Sequence, residues 1–573
     1  MRLKRRFKRD WKWLVFLVIL ILAVFLARGF PQTDEEVPAD EMVQMQAVSH
    51  HGGNLRVGIP GKIHSLDPHR ATTDAERVVA RNITDSLFRY GLDDGLTGGA
   101  VADWEELEQG PGYLLTLREG LTFSDGTPCD AEAVAFNLKR MREVGAPIVE
   151  GAWLSAIAEV EVVDERRVML KLKYSDPNLL FNLSRPETGL VSPNAVEQLG
   201  DAFSMEPIGL GPFVFDWEVG LTESDSARML GDHIGGDPEY GDPIGDGTTV
   251  RLRAFTENPY RTPNLDTLTL VIAETELDPE LLMEMGFDIL TEVPAGYEVS
   301  PEMGAYRFLY PRLDYHLLAL NLSSSNLSDR RVREALALAI DRKSIIEAVF
   351  QGDAHPLAIG EVPIIGLDPD ESPGPADPER ARDLLEESGY SFAPEGVLLD
   401  PEGELLPTFN LLSDDAPERV EVSRRLADQL RRLGLQVELE VIERHEYYER
   451  MRAGDYDLSY WVLLPGLIDP SGYTANLRSD NYWNVSHIKD HPDLEAVQEE
   501  VDDLLRGMTN VADETERSAL FDRFADLVSE HYLYISLWNT MVRGVACDRV
   551  VEFEVPFDHI FDFSRTRINE DPS

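Results

Sequence analysis

Cysteine is nearly absent from this 573-residue chain: only Cys129 and Cys547 occur, far apart. Two thiols so separated offer no disulfide framework and read as free. Lysine is almost as scarce, with nine in the chain, so arginine supplies most of the 53 basic residues that face 104 acidic ones. The resulting net charge of −51 excludes nucleic acid and anionic lipid as partners of the main body. Acid excess with arginine preferred to lysine fits a surface that carboxylates keep hydrated and salt screens. Catalytic signatures are missing too: there is no Walker A loop, no GxGxxG after a strand and no GxSxG elbow. "HEYYE" at 445–449 lacks the second His of a zinc-protease helix, and with it the ligand pair at i and i+4. No spacing singles out an acid/base pair. The sequence therefore carries no signal for catalysis, and the expectation is no cofactor and no metal site.

What is there is globular: 43% hydrophobic and 27% charged residues, in a chain long enough for roughly three to four domains. The first 30 residues stand apart. "MRLKRRFKRDWK" carries seven basic residues against one Asp, and residues 13–27, "WLVFLVILILAVFLA", carry no charge. No small-x-small cleavage site and no lipidation cysteine follow, so residues 13–30 read as an uncleaved transmembrane anchor in preference to a cleaved signal. Residues 1–12 form its basic cytoplasmic flank and 31–53 an acidic linker.

From Asn54 the pattern alternates strand and helix. "NLRVGIP" is a short strand, and "DAERVVARNITDSLFRY" (74–90) places Val78, Ile83 and Leu87 at helical spacing behind Asp74 as a cap. A further helix is capped by Asp130, and two alternating strands flank Asp164 and Glu165. "PIGLGPF" (207–213) is a Gly/Pro turn running into a strand. Residues 231–247, "GDHIGGDPEYGDPIGDG", gather carboxylates a hard cation could use, but the spacing fits no calcium loop and reads as a solvated insertion. "HLLALNLSSS" then runs into "NLSDRRVREALALAIDRKSI", a helix capped by Ser328 or Asp329 with an apolar stripe of Val332, Leu336, Ala339 and Ile340. Asp377, Pro378 and Gly389 bracket another helix. One more stops at Gly434, before a period-two strand of Leu435, Val437, Leu439 and Val441. "DYDLSYWVLL" and "YLYISLW" complete an α/β alternation.

Taken in order, these blocks resemble the family 5 extracellular solute-binding proteins, the peptide-, oligopeptide- and nickel-binding receptors of ABC importers. The resemblance runs through "SLDPHR", "ITDSLFRYG", "YLLTLREGLTFSDGTPCDAEAVAFNLKR", "PIGLGPF" (the family usually has Thr at Leu210), "LALNLSSSNLSDRRVREALALAIDRKSI", "RAGDYDLSYW" and the closing helix and strand, from about residue 54 to 561. It implies a venus-flytrap fold of the type II periplasmic-binding-protein kind. Lobe I would take residues 54–86, 207–310 and 534–573, an extra small domain 87–206, and lobe II 311–533. It also implies a small polar organic or peptide-like solute held between the lobes, permease subunits as partners, a monomer, and a location outside the cytoplasm.

The same resemblance supplies candidate ligand residues. Tyr460, Trp461 and Leu464 end a strand that faces the cleft in the family. Asp469 and Tyr473 follow in its loop, and Tyr482 and Trp483 offer an aromatic wall; core packing is the alternative role for each aromatic. Peptide-binding relatives place an Asp three residues beyond the Trp, on the ligand's α-ammonium, where this chain has Leu464. Either Asp469 takes that role in a rebuilt loop, or the ligand carries no free amine; the apolar loop favours the second, since it cannot replace a buried counter-charge.

Overall fold

The computed structural model describes residues 52–569 except 92–94, 108, 145–153, 175, 177, 217–247, 259–260, 274–278, 280–285, 301–302, 313, 362–372, 464–476, 480, 482–483, 511–513 and 557. The expected anchor at 13–30, its flank 1–12, most of the linker and the insertion at 231–247 lie outside these. Among the described residues no helix is long and apolar enough to cross a membrane.

Strand β1 (Asn54–Pro60) buries Leu55, Val57 and Ile59, the alternation a strand imposes. Helix α1 (Asp74–Ile83) is capped by Thr73, not Asp74: Glu76 N–H donates to Thr73 Oγ1 at 3.2 Å and Thr73 N–H to Glu76 Oε2 at 3.0 Å, a reciprocal box that satisfies two orphan donors. The helix stops at Ile83 although the apolar spacing continues to Leu87. Residues 88–91 are claimed by pairing with 95–98, and Ile83 O accepts from Gly211 N–H at 3.0 Å. A Cβ on Gly209 or Gly211 would lie 2.3 Å from the Ile83 backbone, which explains the glycines of "PIGLGPF".

The chain then builds a small domain with its own core. Its elements are β2 (Val101–Glu106), β3 (Gly112–Leu117), α2 (Ala131–Val144), β4 (Ile157–Val162) and β5 (Arg167–Leu172). The antiparallel sheet runs β2-β3-β5-β4 over Leu115, Val134, Leu138, Val168 and Leu170. Leu210 and the free thiol of Cys129 are buried with them.

Returning, β6 (Phe213–Phe215), β7 (Thr248–Ala254), β8 (Thr267–Ala273) and β9 (Ile289–Leu290) complete a first sheet ordered β9-β1-β8-β7-β6, with β1 parallel to both β8 and β9. Strand β10 (Ala305–Pro311) leads through residues 312–314 into β11 (Tyr315–Leu320). There follow α3 (Arg330–Ala339), α4 (Arg342–Val349), β12 (Ala354–Pro356), α5 (Pro378–Glu387), β13 (Phe409–Asp414), α6 (Pro417–Leu433), β14 (Val437–Ile442), α7 (Arg444–Ala453), β15 (Leu458–Leu463), α8 (Glu495–Asn510), α9 (Glu514–His531) and β16 (Tyr534–Cys547). The second sheet runs β14-β13-β15-β11-β16. β11 is buried at all six positions, the mark of a central strand covered on both faces.

Helix α3 buries its expected stripe of Val332, Leu336 and Ala339, with Asp329 as cap. It also buries Arg333, which donates to Leu327 O (2.7 Å), Ser328 O (3.1 Å) and His531 O (2.8 Å). Burial pulls its pKa down to about 10, because these carbonyls neutralise less than a carboxylate would.

β16 belongs to both sheets. Its first half, expected with the first lobe, pairs with β11 from Tyr534 to Trp538, whereas Met541–Cys547 pairs with β10 and β9. Gly544 sits under Phe308, whose Cζ would be 2.1 Å from an added Cβ. The half-buried Cys547 thiol is also free and lies 3.5 Å from Asp288 Oδ1.

Candidate functional site

β13 runs parallel to β14 and to β15, so Asp414, Ile442 and Leu463 end at one edge of the second sheet. β1, β8 and β9 are parallel, so Pro60, Ala273 and Leu290 end at one edge of the first. β16 leaves the second sheet at Trp538, paired with His316 near the Leu463 end, and enters the first beside Leu290, paired with Val545. The carboxyl edges of the two sheets therefore face each other. Two chain segments, 312–314 and 539–540, connect them. The space outside the carboxyl ends of parallel strands is where open α/β sheets hold ligands.

On the first lobe, the loop after β1 carries Lys62 and His64. It is pinned by the buried Glu76 carboxylate, which accepts from the N–H groups of His64 (2.5 Å), Ser65 (3.1 Å) and Thr72 (2.6 Å). Thr291 follows β9 and accepts from Tyr310 Oη at 3.0 Å, while Glu292 takes Arg312 at 3.0 Å. On the second lobe, buried Asp414 accepts from Ala416 N–H (3.3 Å), Arg419 (3.1 Å) and Arg444 (3.3 Å). It thereby fixes the start of α6 and presents two guanidinium groups at the edge.

The connection itself is polar, with Asp314 buried, Thr540 half-buried and Arg312 exposed. Arg312 N–H donates to Thr540 O at 2.8 Å. Asp314 Oδ1 accepts from Thr540 N–H at 2.8 Å, and its Oδ2 accepts the Thr540 hydroxyl and lies 3.1 Å from His316 Nε2. Burial alone would raise the Asp314 pKa, but the contacts with His316 and Thr540 outweigh it and hold the carboxyl below its ordinary value. Beside this, buried Asp353 pairs with Arg543 of β16 and accepts from Gly296 N–H at 3.3 Å, while Arg543 donates to Tyr297 O at 2.7 Å.

Of the candidate residues, Tyr460 and Trp461 are described, both buried. As neighbours on β15 they point to opposite faces. Tyr460 bonds His316 Nδ1 and packs 6.0 Å from Trp538, and burial drives its phenol well above the ordinary range. Trp461 stacks on Tyr447 at 6.0 Å and meets Tyr448 edge-on at 5.9 Å. Leu464, which directly follows β15, and Asp469, Tyr473, Tyr482 and Trp483 lie outside the described residues. Sequence reasoning missed Asp314, His316 and Thr540. The Asp-x-His spacing at the start of a strand puts the first two on one face, and that signal was available. Among the described residues no group of three or more His, Cys, Asp or Glu is arranged to hold a metal.

Two α/β lobes with opposed carboxyl edges and a two-segment connection define the type II periplasmic-binding-protein class. The profile described as bacterial extracellular solute-binding proteins, family 5 Middle, matches residues 95–220 and 244–484. The chain belongs to that family. It is 27% identical over 339 residues to the glutathione-binding protein GsiB of Salmonella paratyphi A, covering 58% of this chain and 61% of that protein's length. Among solved structures it resembles a nickel ABC transporter protein from Bacillus halodurans (TM-score 0.72, 20% identity, 90% of this chain and 100% of that one). The oligopeptide-binding protein AppA from Bacillus subtilis, solved with a nonapeptide, is a further structural relative (TM-score 0.55, 20% identity, 91% and 100%). At these identities the structural likenesses speak for the fold.

Proposed function

We propose that the protein is the extracytoplasmic substrate-binding component of an ABC importer, a non-enzymatic monomer that captures a small polar organic solute between its lobes and delivers it to membrane permease subunits. The observation that carries this is the pair of opposed carboxyl edges joined by two chain segments in a family 5 chain. Such a joint lets a ligand with higher affinity for one arrangement shift the population towards it, and the permease reads the result. The names of relatives, glutathione-binding and oligopeptide-binding, support a peptide-like solute, and residues 13–30 would hold the body at the outer face of the membrane.

Leu464 stands where peptide-binding relatives carry the acid for the ligand's ammonium. The solute is therefore one without a free α-amine: an N-blocked peptide, a sugar or another polar organic molecule. Native mass spectrometry of residues 51–573, which form one compact unit, tests this through any ligand retained from the host; a retained free-amine peptide refutes it and points to Asp469. In the reverse direction, Leu464→Asp should gain at least about tenfold in affinity for trialanine by calorimetry, the ~1.4 kcal/mol of a modest charge pair. No gain means that the loop is not in the family's register.

A further inference from the structure

A receptor of this kind needs a physical link between its cleft and its hinge, and a buried line of polar groups runs between the two. We propose that Tyr460, His316 and Asp314 form a relay that couples the cleft end of β15 to the hinge, where Arg312 and Asp314 meet Thr540. The three side chains are 1%, 3% and 3% exposed, and Thr540, at the hinge end, is half-buried. Asp314 spans the hinge: both of its oxygens accept from Thr540, one from the N–H and one from the hydroxyl. The second also faces His316 Nε2 at 3.1 Å, and the other ring nitrogen of His316 meets the Tyr460 hydroxyl. The imidazole thus faces Asp314 on one side, an approach of 3.1 Å without a formed hydrogen bond, and the Tyr460 hydroxyl on the other.

The imidazole cannot drift. Its ring centroid lies 5.7 Å from that of Tyr460, 5.9 Å from Phe350 and 6.0 Å from Trp538, so three aromatic rings pack around it. Tyr460 stands three residues before the end of β15 at Leu463, at the carboxyl edge of the second sheet. A displacement of β15 by a bound solute either carries His316 and Asp314 with it or breaks a buried hydrogen bond. The hinge thereby has two discrete settings rather than a continuum. The relay rests on the solute-receptor reading for its purpose, but its mechanical coupling is measurable in the full-length protein without any solute.

The test is hydrogen–deuterium exchange of the full chain, read by mass spectrometry in the hinge peptide 538–545, in 456–463, and in 420–433 of α6 as a reference remote from the hinge. Tyr460→Phe should speed exchange in the hinge peptide about fivefold, the factor that one lost net hydrogen bond gives, and leave α6 unchanged. His316→Gln should do the same, and the double variant should do no more than either alone. Thr540→Val, at the other end, should loosen 456–463, because coupling is reciprocal. An unchanged hinge in Tyr460→Phe, additive effects, an equal change in α6, or an unchanged 456–463 in Thr540→Val overturns the relay. A protein that retains and binds no solute would refute the receptor reading and leave these exchange results standing.

Discussion

Lowering the pH from 7 to 4 puts a defined load on the contact between the first lobe and the small domain. His69 is fully buried there: its Nε2–H donates to Gly189 O at 3.0 Å, and its Nδ1 accepts from Arg140 at 2.7 Å. Arg140 also clamps Asp67 with contacts of 3.0 and 2.6 Å. Burial, reinforced by the Arg140 charge, pushes the His69 pKa from 6.5 down to about 4. A histidine whose folded pKa is depressed costs nothing above pH 6.5, where both states are neutral. Between 6.5 and 4 the unfolded chain takes up a proton that the folded chain refuses, so stability falls as the pH falls. The gap, at ~1.4 kcal/mol per pH unit, comes to about 3 kcal/mol by pH 4. Urea unfolding of the wild type and of His69→Gln, in 1 M sodium chloride where the Debye length is about 3 Å, isolates this contribution, because all other acid effects are common to both. The glutamine keeps one donor and one acceptor. The variant should be less stable at pH 7, and the difference should shrink by about 3 kcal/mol towards pH 4. Parallel loss of stability in the two proteins refutes the assignment of His69 as a buried neutral residue.

Two further outcomes follow from other parts of the chain. Gly544→Ala drives a Cβ to 2.1 Å from Phe308 Cζ; it should cost about 1–3 kcal/mol in urea unfolding, and adding Phe308→Leu should recover part of the loss, whereas no rescue would place the strain elsewhere. The net charge of −51 should make the melting temperature rise by several degrees between 0.1 and 2 M sodium chloride as self-repulsion is screened; a melting temperature that falls throughout would show that ion pairs, not repulsion, dominate the surface.

What the sequence reveals depends on how far apart the interacting residues are. Asp377 caps α5, accepting from Arg380 N–H at 2.8 Å, and Gly434 ends α6 at φ 113°; caps and stops act within a few residues, and both were legible. The end of α1 was not. The apolar spacing from Val78 through Leu87 continues past the point where Gly211, far along the chain, takes the Ile83 carbonyl. Arg333 lies outside the apolar stripe of α3, and nothing in the sequence marks the carbonyls that receive it, two of them local and one at the end of α9. The cleft residues show the same division. The family resemblance picks out β15, yet whether Tyr460 faces solute or core depends on His316 of a neighbouring strand, 144 positions away. The connection between the two sheets is the extreme case, with Asp314 meeting Thr540 across 226 positions. If the two lobes move as proposed, the decisive contacts lie between distant segments. Periodicity and capping report only on near ones, so the working parts of such a protein are those its sequence shows least.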